Sequence, residues 1–274
     1  MTSTVTLSTG RAASPQPGLA AQLSAAASAE WTKIRTVRGP RWALLAGFLA
    51  TVVLGVVVCF FINRDFQSVV SSDKGPFEPV RTSFGGLVLG QLAMVVLGVT
   101  VIGGEYASGM MRLSLAAVPR RGVFYAAKAA VLAAVTLVLG LVTAGTAFFV
   151  GQAVLGSHGV SIGDPGVLRA VLGGAVYLAL IALVSLGVAT VLRRQTLALG
   201  ILIPLFFLVS GILQAIPGVS AVTQYLPDQA GQRFLQIHHQ SKDAYGPWTG
   251  LLIAVLWAVA ALLGGWLVLR RRDA

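Results

Sequence analysis

Charge is scarce in this chain, and its scarcity sets the protein's class. Charged residues make up 11% of the 274 residues and only 9 are acids, whereas 56% are hydrophobic. The mean hydropathy is +0.83. A soluble domain does not have this composition, so we expect the chain to lie in a membrane. The one cysteine, Cys59, excludes a disulfide within the chain.

Motifs for catalysis and for ATP binding are missing as well. No lysine is preceded by Gly and followed by Ser or Thr, as a phosphate loop requires, His-Glu-x-x-His does not occur, and no Gly-x-Ser-x-Gly lies inside a long uncharged stretch. His158, His238 and His239 have no neighbouring Cys or paired carboxylates, so they do not indicate a metal site. We therefore predict that the chain is not an enzyme and holds no cofactor of its own.

Six stretches carry almost no charge, and each is long enough to cross a bilayer. A hydrocarbon core of about 30 Å needs about 20 helical residues. The apolar runs are continuous and do not alternate with period two, which excludes a transmembrane barrel. We predict an all-α polytopic membrane protein whose six transmembrane helices occupy residues 42–272. The stretches are Trp42–Ile62, Ser83–Gly104, Ala129–Leu155, Ala170–Leu192, Gln195–Ile216 and Thr249–Leu269.

The loops between these stretches differ in charge. Basic residues far outnumber acids on the N-terminal arm, after the second stretch, at Arg193-Arg194 and on the C-terminal tail, but the other loops are roughly balanced. The positive-inside rule then places both termini in the cytoplasm. The net charge of +11 is concentrated at this membrane edge, where it favours anionic lipid headgroups as partners and not nucleic acid.

The residues before the first stretch divide into two parts. Residues 1–20 are rich in Ser, Thr, Pro and Gly and are predicted to be a disordered cytoplasmic arm. Residues 21–41 are predicted to form an interfacial elbow helix that ends where Gly39-Pro40 turns the chain into the membrane. Four residues at helical spacing form its apolar stripe, namely Leu23, Ala27, Trp31 and Ile34. The basic residues Lys33 and Arg35 lie beside this stripe.

The segment after the second stretch predicts a separate short helix. Pro119 is disfavoured inside a helix, so the helix is expected from about Ser108 to Val118, with Glu105 before it near water and able to pair with Arg112 or Arg120. A helix that is apolar nearly all round must be covered by its own membrane helices, by lipid or by a partner. The alternative is an interfacial loop whose arginines reach lipid headgroups. The two apolar faces are Met110, Leu113 and Ala117, and Met111, Leu115 and Val118.

No Asp, Glu, Lys, Arg or His lies well inside any of the six stretches. Lys128 and Arg169 fall at the ends of the third and fourth stretches. Intramembrane charges mark proton relays and many ion pathways. Their scarcity makes a proton-driven carrier the third choice of function.

Three motifs resemble those of bacterial type-2 ATP-binding-cassette exporter permeases. They are Glu30-Trp31-x-Lys33-x-Arg35-x-x-Arg38, Glu105-Tyr106-x-x-Gly109, and Pro119-Arg120-Arg121 with Lys128. The resemblance implies an elbow helix, a coupling helix that docks on a cytoplasmic ATPase, and a small hydrophobic excursion before the sixth helix. ATP and magnesium would lie on that ATPase. It also implies a second permease subunit, identical or related, and a multi-pass location in the bacterial plasma membrane.

The resemblance assigns roles to two groups of residues. The ATPase-coupling segment would include Glu105, Tyr106, Gly109, Arg112, Leu113, Leu115, Pro119, Arg120 and Arg121, and the elbow would include Trp31, Lys33, Ile34 and Arg35. For the excursion, Asp228 could cap a helix that runs through Phe234, Leu235 and Ile237.

We therefore predict the permease subunit of an ATP-driven exporter that works by alternating access. The uncharged spans favour a lipophilic or amphipathic cargo. The alternative is a non-transporting membrane anchor, sensor or immunity protein that acts by binding partners.

Overall fold

The computed structural model describes residues 18–71, 77–117, 120–216, 219–237 and 244–271, and within these ranges the chain is helical and contains no strand. Residues 1–17 of the predicted arm, and Val118 and Pro119 of the predicted coupling segment, lie outside the described residues. The helices are α1 (Leu19–Thr36), α2 (Arg38–Arg64), α3 (Phe66–Ser71), α4 (Pro79–Ser83), α5 (Leu87–Ala107), α6 (Met110–Ala117), α7 (Arg121–Leu155), α8 (Val167–Leu192), α9 (Gln195–Pro204), α10 (Ser210–Ala215), α11 (Ser220–Thr223), α12 (Pro227–Phe234) and α13 (Pro247–Arg271).

Among the described residues, six helical segments are long and apolar enough to cross a membrane, which confirms the all-α polytopic prediction. Each contains most or all of one predicted stretch, and several extend beyond it by a few residues. The segments are Arg41–Arg64, Pro79–Ala107, Arg121–His158, Val167–Leu192, Gln195–Leu213 and Pro247–Arg271.

The ends of the helices lie on two opposite sides of the bundle. Arg121, at the start of α7, donates to the carbonyl oxygen of Leu269 near the end of α13 at 2.9 Å. At the opposite side, Asn63 near the end of α2 donates to the carbonyl oxygen of Val154 near the end of α7 at 3.2 Å. We call the side that holds α1, α6 and the end of α13 the terminal side, and the other the far side.

Glycines allow the helices of the bundle to approach closely. A side chain at Gly86 or Gly90 would collide with Thr51, so these residues bring α5 against α2. A side chain at Gly187 would collide with the backbone of Ala261, which brings α8 against α13. The core is formed mainly by α8 and α7, which carry the most buried residues, and by α5, which carries the next most; Leu178, Leu132 and Leu97 are examples from the three helices.

The N-terminal helix breaks one turn earlier than the sequence predicts. α1 ends at Thr36, Val37 is extended, and α2 already begins at Arg38, so Gly39 and Pro40 belong to its first turn. Proline is tolerated there because the first N–H groups of a helix have no intrahelical acceptor.

The far-side segment before α13 folds back into the bundle as α12. Gly231 lies so close to the ring of Tyr177 on α8 that it has no room for a side chain. Tyr177 is the eleventh residue of α8, about 15 Å along the helix from its far-side end, so α12 reaches well inside. The prediction for Asp228 was wrong in one respect: Leu226 is the N-cap, Pro227 occupies the first turn, and Asp228 is a buried residue of a helix that ends at Phe234.

Candidate functional site

Four charged side chains from three helices meet at the terminal side and form what we call the charge cluster: Glu30 and Lys33 of α1, Glu105 of α5 and Lys128 of α7. Lys128 Nζ lies 2.7 Å from Glu30 Oε2 and 3.0 Å from Glu105 Oε1. Lys33 Nζ lies 2.8 Å from Glu30 Oε1 and 2.6 Å from Glu105 Oε1. The cluster is formally neutral, with two carboxylates and two ammonium groups.

Lys128 is the most deeply buried member, with a side chain that is 0% exposed. Its third donor bonds the carbonyl oxygen of Val101 on α5 at 3.1 Å, so all three N–H groups of the ammonium have acceptors. The ring of Phe124 lies 5.1 Å from Nζ and shields the ammonium on another side. A lysine is stable at such a depth only because each of its donors is satisfied.

The position of Lys128 corrects one expectation from the sequence. α7 begins at Arg121, so Lys128 lies about 10 Å into the helix and inside the third membrane-crossing segment. The third uncharged stretch begins just after Lys128, but α7 begins seven residues before it. The charge can be buried within the helix because the cluster is neutral.

Lys33 closes the cluster toward water. Its side chain is 38% exposed. Burial alone would lower the pKa of Lys33, but the hydrogen bonds to Glu105 and Glu30 outweigh that effect and raise the pKa above its ordinary value. The ammonium therefore stays charged at neutral pH and keeps its stabilising contacts until the pH rises toward the raised pKa.

The cluster also explains how α1 lies on the bundle. Ala26 and Glu30 are the buried residues of α1 and fall one turn apart, with Lys33 on the same face. Among the predicted elbow residues, Trp31 and Arg35 are exposed and Ile34 is half-buried, so this part of the predicted stripe points away from the helices or lies at their edge. Lys33 is the one predicted elbow residue that joins the cluster.

The coupling segment follows the cluster directly. Glu105 lies in the last turn of α5, and Gly109 then turns the chain into α6 with a φ of +71°, in the left-handed region that favours glycine. This gives a physical reason for the Glu-Tyr-x-x-Gly pattern. The described partners of Glu105 are Lys33 and Lys128, whereas the sequence suggested Arg112 or Arg120.

α6 has one covered face and one open face. Met111 is 2% exposed and Leu115 packs against the core, whereas Leu113 is 70% exposed and Met110 46%. Arg112 and Arg120 are also exposed. The sequence indicated two apolar faces, and the fold of the chain itself covers only one of them.

Two further predicted residues lie between helices at the terminal side. Tyr106 is half-buried beneath Arg193, whose guanidinium carbon lies 5.9 Å from the ring centroid. Arg193 adopts a φ of +55° where α8 ends, and its guanidinium donates to the carbonyl oxygen of Val268 at 3.3 Å. Arg121 bonds the end of α13, as described above, and so does not project freely from the segment.

Sequence reasoning missed Glu30 and Lys128 as site residues. The available signal was Glu30 itself, an acid next to an otherwise apolar stripe. Among the residues that the structure describes, no group of three or more His, Cys, Asp or Glu side chains is arranged to hold a metal ion.

Comparison with known families identifies a match over most of the chain. The family model described as "ABC-2 family transporter protein" matches residues 27–211, which include the charge cluster, α6 and most of the first five membrane-crossing segments. A search of curated proteins finds no match.

Proposed function

Because the chain belongs to the ABC-2 transporter family and is thus the membrane component of an ABC transporter, we propose that it is the permease subunit of an exporter whose separate ATPase docks on α6. The terminal side would be cytoplasmic, since it carries the excess of basic residues. The membrane would be the bacterial plasma membrane.

The open face of α6 is the observation that carries this proposal. Leu113 and Met110 expose apolar surface next to Arg112, on a helix too short to reach across the membrane. Burying Leu113 in a groove of the ATPase would contribute about 1.5–3 kcal/mol before the costs of association.

The charge cluster would then transmit the movement of α6. A push on α6 reaches α5 through the short turn at Gly109, and Glu105 ties the end of α5 to both α1 and α7. The three helices would shift together rather than one by one. This coupling supports alternating access by a pair of permease subunits, identical or related.

The cargo is proposed to be lipophilic or amphipathic, because the membrane-crossing segments present mostly apolar side chains. A non-transporting anchor, sensor or immunity protein would use the same open face to hold a partner that does not hydrolyse ATP. The two functions differ in whether the captured partner is an ATPase.

Leu113→Asp tests the docking surface. The ATPase that co-purifies with the unmodified chain should be captured roughly 10- to 100-fold more weakly by this variant, and export should be lost, because a carboxylate replaces the buried side chain. Leu19→Asp is the matched control, since Leu19 is also exposed and on the terminal side but lies on α1. Capture should be unchanged in this control.

Leu115→Asp separates docking from folding. Leu115 packs against the core, so its replacement should lower the amount of folded protein in the membrane, whereas Leu113→Asp should insert normally. If Leu113→Asp inserts, retains the ATPase and still exports, α6 is not the docking surface.

A further inference from the structure

A second polar group, far from the charge cluster, lies where α12 enters the bundle. Tyr177 on α8 is 2% exposed, and Gln91 on α5 and Asp228 on α12 are each 1% exposed. The Tyr177 hydroxyl donates to Gln91 Oε1 at 2.5 Å and accepts a hydrogen bond from Gln232 Nε2 of α12 at 3.3 Å. These contacts join α12 to two central helices.

From the described residues, the Asp228 carboxyl accepts one side-chain hydrogen bond of normal geometry. Gln229 Nε2 donates to Asp228 Oδ2 at 2.8 Å, but no hydrogen bond of normal geometry reaches Oδ1. The Ser210 hydroxyl faces the same carboxyl, yet its proton goes to the carbonyl oxygen of Leu205 at 2.9 Å.

Two described arginines near α12 have other contacts. Arg169 on α8 donates to the carbonyl oxygens of Phe234 and Gln236 at 2.6 and 2.8 Å. Arg233, on α12 itself, lies 5.6 Å from the ring of Tyr245. Within the described ranges no Lys, Arg or His forms an ion pair with Asp228, and Tyr177 is a titratable neighbour that interacts with it electrostatically.

We propose that Asp228 is a proton-binding site, and that the protonated carboxyl keeps α12 seated in the bundle whereas the carboxylate releases it. A neutral carboxyl can be buried beside the Tyr177 and Gln91 pair at small cost, but an unpaired carboxylate cannot. Gln229, the next residue, is half-buried, so the Asp228 carboxyl lies close to the protein surface along α12.

The direction of the pH effect follows from burial. Burial raises the pKa of Asp228 above its ordinary value, and the nearby Ser210 hydroxyl, the Gln229 side chain and the backbone N–H groups of residues 228 and 229 offset only part of the rise. The seated form is thus favoured at low pH. Between the ordinary and the raised pKa, the released population should grow by up to about tenfold per pH unit, and above the raised pKa it should become constant.

Cysteine labelling tests this. Cys59 is replaced by Ala, and Ala230, which is 0% exposed on the buried face of α12, by Cys. The chain is placed in lipid nanodiscs and its reaction rate with a charged maleimide is measured from pH 4.5 to 8.5. The same measurement with Asp228→Asn supplies the intrinsic pH dependence of the reagent and the thiol.

The ratio of the two rates should rise with pH by several-fold or more. A ratio that stays constant over the whole range would overturn the proposal. If the Ala230→Cys chain does not fold, hydrogen exchange of the amides in α12, compared with those in α13 of the unmodified protein, gives the same answer: a protection of α12 that does not fall with pH after correction for intrinsic exchange rules the proposal out.

Discussion

Lys128 is the residue on which the charge cluster depends. It contacts Glu30 of α1, Glu105 and Val101 of α5, and Phe124 of its own helix, so it joins three helices with one side chain. The two carboxylates depend on it in turn, since Lys33 is their only other cation among the described contacts. We therefore regard Lys128 as a positioning residue for the end of α5, where α6 begins.

Lys128→Met should strongly destabilise the protein. It leaves two buried carboxylates with one ammonium group, and breaking a buried ion pair in this way costs about 3–5 kcal/mol. Adding Glu105→Gln removes the surplus negative charge, so the double variant should unfold at a higher temperature than Lys128→Met alone. Thermal unfolding in detergent measures both. If the double variant loses as much stability as the Lys128→Met and Glu105→Gln single variants lose together, the four side chains are not one coupled group.

The cluster could not be predicted from the sequence because its partners are far apart in the chain. Glu30 and Lys128 are separated by 98 residues, and each has an ordinary interpretation alone: an acid on an interfacial helix and a base at the end of a span. Only the packing of α1 against α7 brings them together. Glu105, Lys33 and Gly109 were predicted as site residues, but their physical roles come from the fold.

At the scale of the elements, long apolar stretches and a proline at a helix end gave correct predictions, whereas a polar segment gave a poor one. The six membrane-crossing segments follow from uninterrupted apolar length, and the short helix α6 follows from Pro119 and the apolar residues before it. The sequence could not say which face of α6 is covered. α12 was harder still, because its polar residues are typical of a loop and their burial depends on Tyr177 and Gln91 in distant helices.

Close helix packing at Gly187 gives a prediction for the elements. Gly187→Val should force α8 away from α13, because the new side chain meets the backbone of Ala261, which cannot move aside. Overpacking of this kind costs about 1–3 kcal/mol and should lower the unfolding temperature by roughly 2–10 °C. Gly145→Val on α7 is the control, since nothing lies within 4 Å of its side-chain position. Equal unfolding temperatures for the two variants would contradict this account of the packing.

At the scale of the whole molecule, the two polar groups lie at opposite sides of one apolar bundle. The charge cluster joins α1, α5 and α7 at the terminal side, and the Asp228 group joins α5, α8 and α12 toward the far side. α5 belongs to both. A movement of α6 would therefore be transmitted along α5 to the place where α12 packs against it. The proposed ATPase docking and the proposed protonation of Asp228 would both act on α5.

The central claim is that the energy for transport enters from another chain. We predict that the isolated protein in nanodiscs does not hydrolyse ATP, since its sequence has no phosphate loop. Its complex with the co-purifying ATPase should hydrolyse ATP, and replacing the phosphate-loop lysine of that ATPase should abolish the activity. The direct measurement is phosphate release by the isolated chain, by the complex and by the complex with the inactive ATPase. We expect phosphate release only from the complex with the active ATPase. Robust phosphate release by the isolated chain would contradict the account.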